Sequence, residues 1–210
     1  MKYEFTGQSK TVNGVTVRQI KRISDGLVGG WIESEKNLNQ NGDCFIYDNA
    51  VVYGNARVSG YARVYGNAMV YGNAWVSDDA WVYGNAWVYD NAVVYGNARV
   101  SGYARVYDNA RVSGYARVYG YAEVYGNAEV YGNAMVSDDA WVYGDAWVYG
   151  DAWVYGNAGV FDNARVYDNA WVFDYARVYD NAKVYDDASV YGNARVHGNT
   201  KVSGDAVITD

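Results

Sequence analysis

Few residues in this chain could do chemistry: one histidine, one cysteine, paired aspartates, and a set of tryptophans, tyrosines and arginines. His197 is the sole candidate general base, because imidazole titrates near neutral pH. Cys44 is the sole candidate thiol nucleophile. Asp90 with Asp108, and Asp162 with Asp180, share a spacing at which a periodic fold could bring two carboxylates around a cation. Two tryptophan belts, Trp75-Trp81-Trp87 and Trp141-Trp147-Trp153, together with Tyr89 and Tyr107, could stack on sugars or on a protein partner.

The elements that position these groups follow from a repeat. From Cys44 onward every sixth residue is small: of 27 consecutive hexads spanning 44–205, 25 begin with Ala. Two residues later stands Val in 26 of the 27, Ile46 being the exception. Residues two apart in an extended segment share a side, so Ala and Val face one way and the residue between them faces the other. The fifth position is always Gly or Asp, and the sixth is Asn, Asp or Tyr. Gly, Asn and Asp tolerate turn conformations, so each hexad reads as a short strand followed by a corner. A six-residue period with regular glycines fits no helical stripe. Stacked coils give each strand a partner above and below, and small Ala with compact Val fills a narrow interior.

Composition agrees. There are 24 Tyr, 24 Gly, 8 Trp and no Pro, a bias that marks repetition rather than a mixed core. The formal charge of −7 opposes sequence-independent attraction to nucleic-acid phosphates. The first residues lack the apolar run of a signal peptide and no stretch has the length of a membrane span, so a cytoplasmic protein without nucleic-acid or membrane partners is expected. A single cysteine makes no internal disulfide.

The motif Ala-x-Val-Tyr-Gly-Asn resembles the hexapeptide repeat of left-handed parallel β-helices. That resemblance implies a triangular, all-β solenoid with three hexads per coil, here about nine coils. Residues 1–43 depart from the repeat. Thr11-Val12-Asn13-Gly14-Val15-Thr16-Val17 signals a β-hairpin, so residues 1–43 are expected to form a cap and 44–210 the solenoid. Gly29-Gly30-Trp31 and Gly42-Asp43-Cys44, with the repeat itself, are similar to YdcK-like proteins, a bacterial and prophage-associated group of hexapeptide-repeat rods. This likeness implies the rod and no particular activity.

Many left-handed β-helix proteins are acyltransferases, which use a histidine and corner loops. Here His197 stands in a column of tyrosines and no loop interrupts 44–208, so an aromatic rung is the expected role of His197 and the acyltransferase is the weaker alternative. Cys44 occupies the Ala column and is expected to be buried. No metal or cofactor is expected. Residues three hexads apart should be neighbours on one face. Arg105 then meets Glu123, Arg111 meets Glu129, and Arg63, Arg99, Arg57 and Arg165 approach Trp81, Trp75 and Trp147. Whole blocks recur after shifts of ten and of seven hexads, neither a multiple of three. The copies therefore fall on different faces, which speaks for bulk surface chemistry over one sharp site. The expected role is a structural scaffold that self-associates, with a glycan- or protein-binding module as the alternative. Because strand edges and apolar interior near Val190, Val196 and Val202 should lie open, an end-to-end homodimer through the C-terminal coil is expected.

Overall fold

The computed structural model describes residues 1–209. Strand β1 (Tyr3–Val12) and strand β2 (Val15–Arg22) form the antiparallel hairpin expected at Asn13-Gly14, both of which take positive φ, 50° and 80°. Strand β3 (Val28–Ile32) pairs antiparallel with β2 and parallel with Val51–Val52. From Phe45–Ile46 to Val207–Ile208 the chain is a succession of two-residue strands, one per hexad.

These strands build three parallel sheets in which each strand lies beside the one three hexads further on, so three hexads make a coil. The first sheet holds twelve strands and includes β1, β2 and β3, the second holds ten and begins at Phe45, and the third holds nine and begins at Arg57. The stacking force is local and repetitive. Trp81 N–H donates to Ala98 O at 2.9 Å and Tyr83 N–H to Val100 O at 2.9 Å, and the same two bonds recur along the rod. Every Ala of the first column from 50 to 188, and every Val of the third from 52 to 190, is fully buried. At ~4.8 Å per coil the nine coils of hexads span roughly 43 Å.

Each corner turns through a residue in the left-handed region. Gly72 has φ of 70°, and a β-carbon there would meet the backbone nitrogen of Asp90 at 2.8 Å. Ten of these corners use Asp instead, with φ between 54° and 59°. Aspartate tolerates this region because its short side chain bonds locally, and here the bond goes to the next coil. Gly66 N–H donates to Asp48 Oδ2 at 3.0 Å, and Gly204 N–H to Asp186 Oδ2 at 3.0 Å.

The parallel ladder begins before the hexads do. Trp31–Ile32 pairs with Val51–Val52, and Leu38 bridges Val58, each separation two residues longer than three hexads. The excess falls between Leu38 and Phe45, where the chain takes seven positions against five from Val58 to Arg63. Asn37, fully buried at the end of a 3-10 turn (Glu35–Asn37), ties the segment before it to the next coil by donating to Gly54 O at 3.0 Å and Ala56 O at 2.9 Å. The rod therefore has about ten turns, one more than the hexads alone supply. Gly29 is required at the junction, where a β-carbon would lie 2.6 Å from both Ile46 O and the Phe45 ring. Among the described residues, no helix is long and apolar enough to cross a membrane.

Candidate functional site

All the chemistry the sequence singles out lies on the outside of the rod or just beneath it, and most of it is spent on the next coil. The fourth hexad position along the first sheet forms one file of rings: Tyr53, Tyr71, Tyr89, Tyr107, Tyr125, Tyr143, Phe161, Tyr179 and His197. Neighbouring centroids are 4.9 to 5.2 Å apart and nearly parallel. His197 is thus the last rung of a ladder, stacked on Tyr179. Tyr89 and Tyr107 are interior rungs with both faces covered. Burial and neighbouring phenols push the Tyr71 hydroxyl up to about 12. Tyr107 is pushed up further, by burial first and then by Glu123, whose Oε2 accepts its O–H at 3.0 Å.

Beside this file runs a second ladder of amides. Asn55, Asn73, Asn91, Asn109 and Asn127 each donate a side-chain N–H to the next, ending on Asp145, at 3.0 to 3.3 Å. The ion pairs expected from the three-hexad rule form: Arg105 to Glu123 at 3.4 Å and Arg111 to Glu129 at 3.6 Å. Both are solvent-facing, so each contributes well under ~1 kcal/mol.

The tryptophan belts are placed differently from a single platform. Consecutive members are one hexad apart, so Trp75, Trp81 and Trp87 occupy the third, second and first sheets in turn, and Trp141, Trp147 and Trp153 occupy the first, third and second. Three of the six are capped by arginine. Arg63 and Arg99 sandwich Trp81 at 5.4 and 4.8 Å, Arg105 lies over Trp87 at 5.2 Å, and Arg165 over Trp147 at 4.5 Å. Trp75, Trp141 and Trp153 are exposed. The expected contact of Arg57 with Trp75 does not form among the described residues. Trp75 instead donates its indole N–H to Ser59 Oγ at 3.1 Å.

The remaining candidates serve structure. Cys44 is fully buried in the Ala column, with Lys2 Nζ 3.1 Å from its sulfur. Asp108 and Asp180 accept the backbone N–H of Gly126 and Gly198, and Asp162 that of Asp180, so these carboxylates hold the following coil. Among the described residues, no group of three or more His, Cys, Asp or Glu could hold a metal ion. The expected apolar opening at Val190, Val196 and Val202 is corrected: Ile208 covers Val190 as its ladder partner, and Val196 and Val202 are only 3% and 5% exposed. The exposed apolar rung is one strand further on, at Val207 and Ile208.

One pair lies outside the sequence expectations. Trp171 stands one coil beyond Trp153 and stacks on it, centroids 5.4 Å apart and planes at 7°. The three-hexad rule that locates the arginine contacts locates this pair as well.

Coils of this size, pairing in parallel and closed on an Ala/Val interior, define a parallel β-solenoid repeat protein. Its repeats match the model of the YdcK β-solenoid repeat family at residues 45–60, 62–78, 80–96, 86–102, 104–120 and 128–144. No curated protein matches the chain.

Proposed function

We propose that this chain is a non-enzymatic rod, a stiff scaffold of fixed length whose outer side chains mainly hold one coil to the next. The observation that carries the reading is the nine-ring file from Tyr53 to His197, in which each ring spends its faces on its neighbours at the spacing of the strands themselves. A catalytic histidine needs a free imidazole beside a substrate cavity, whereas His197 is stacked on Tyr179. Self-association belongs to the same reading, with Val207 and Ile208 rather than Val202 as its apolar contact.

The test is paired. Small-angle scattering should return an elongated, rigid particle, and incubation with acetyl-coenzyme A should show neither saturable binding nor turnover. Acyl transfer that disappears in His197→Ala would overturn the scaffold in favour of an acyltransferase.

A further inference from the structure

Wherever an arginine follows an outer tryptophan by one coil, its guanidinium lies over the indole: Arg99 on Trp81, Arg105 on Trp87, Arg165 on Trp147. Trp81 carries Arg63 on its other side as well. Trp75, Trp141 and Trp153 are followed instead by Val93, Gly159 and Trp171, and of these only Trp171 adds a second, stacked indole. The rung after Trp171 is Ser189 and the one after that Val207, so the distal face of Trp171 looks across a small hydroxyl instead of a cation. The outward residues of the second sheet beyond Arg117 are Met135, Trp153, Trp171, Ser189 and Val207, none of them basic.

The rim of this gap is acidic. Asp151, Asn169 and Asp187, from the adjoining corner file, line an open groove of about 620 Å³ with the two indoles and Ser189. Asn133 Nδ2 donates to Asp151 Oδ1 and Asn169 Nδ2 to Asp187 Oδ1, both at 3.0 Å, so the carboxylates are held at the groove. Indole faces present negative charge, and carboxylates beside them reinforce it. A planar guanidinium suits such a slot better than an ammonium, because it can stack on the ring while its edge N–H groups reach a carboxylate.

We propose that the groove formed by Trp153, Trp171, Ser189 and Asp187 is a docking slot for an arginine side chain of a basic partner peptide, which supplies in trans the missing cationic rung. The scaffold reading does not require this slot, and either can fail alone.

The experiment is fluorescence and calorimetric titration of the full chain with a triarginine peptide, with trilysine and a neutral oligosaccharide in parallel. Triarginine should bind saturably and perturb tryptophan emission, at least about five-fold tighter than trilysine. Trp171→Ala and Asp187→Asn should each weaken it about five-fold or more, and Trp75→Ala should not. Ser189→Arg places a guanidinium on Trp171 in cis, so it should block the peptide while leaving the protein folded and no less heat-resistant. Equal binding of triarginine and trilysine, unaffected by Trp171→Ala, would reduce the effect to net charge and overturn the slot. So would tight peptide binding by Ser189→Arg, or saturable binding of the oligosaccharide alone.

Discussion

Glu123 Oε2 accepts the phenol of Tyr107 at 3.0 Å, while its other oxygen faces Arg105 Nη1 at 3.4 Å. One carboxylate thereby ties the ring file to the charged column on the same sheet, and both partners lie in the coil before it. The phenol must stay protonated to donate, and burial already disfavours its ionised form. Tyr71, Tyr89 and Tyr125 of the same file are raised for the same first reason.

An alkaline limit follows from the sign of these shifts. A folded-state phenol that holds its proton above the ordinary value near ~10 contributes stability that is complete below that pH. Above it the unfolded chain loses protons first, and the contribution disappears as pH climbs through the folded value, about 12 for Tyr71. Denaturant midpoints should therefore be flat from pH 7 to 9 and fall steeply from about pH 10 to 12. Tyr107→Phe should lessen the fall. An alkaline profile as flat as that of a protein with exposed tyrosines would contradict the stacked file.

Arginine-capped and uncapped tryptophans should differ in what their removal costs. Trp81→Ala abolishes two guanidinium contacts and should destabilise by about 1–2 kcal/mol. Trp75→Ala, at a half-exposed ring with no guanidinium over it, should cost less. Urea melts of both variants decide this, and equal losses would deny the ladder its energetic role.

Corner glycines are not equivalent. Gly72→Ala forces a β-carbon against Asp90 N at 2.8 Å in a left-handed turn, and should destabilise by at least about 1 kcal/mol. Gly198 has φ of 66° but nothing within 4 Å of its virtual β-carbon, so Gly198→Asn should be much better tolerated, as Asn accepts this region. Thermal melts of the two variants check the difference, and a Gly72→Ala protein as stable as the parent would be inconsistent with the stacking described.

Val202 reports on folding rather than assembly. Its side chain is buried within the chain, so Val202→Asp should lower stability by about 2 kcal/mol or more through an unpaired buried charge. Ile208→Asp, at an exposed position, should leave stability almost unchanged and lower the mass in light scattering if that rung mediates self-association. A dimer dissociated by Val202→Asp at undiminished stability would move the contact back to Val202.

Much of the solenoid is legible in the sequence because a strict six-residue phase leaves little freedom: Ala and Val must face inward, and neighbours three hexads apart must touch. Arg105–Glu123, Arg111–Glu129 and the arginines on Trp81 and Trp147 follow from that alone. Three features do not. The first turn of the ladder is two residues longer than the rest, and the surplus lies between Leu38 and Phe45, just ahead of the hexad phase. The corner aspartates look like a charge pattern in one dimension, whereas their carboxylates cap the N–H of the next coil. The groove at Trp171 depends on the small side chain that follows it, so it is defined by a missing rung rather than by a motif.

The central claim is that the outer ladders, in register from coil to coil, hold the rod together. Deleting one full coil, residues 116–133, keeps every file on its own sheet. Deleting one hexad, residues 116–121, preserves the Ala/Val interior but sends the files across the junction onto the wrong sheets. Thermal denaturation of the two deletions, side by side with the parent chain, should show the coil deletion melting within a few degrees of the parent and the hexad deletion clearly lower, despite its greater length. Equal melting of the two deletions, or a more stable hexad deletion, would contradict the account.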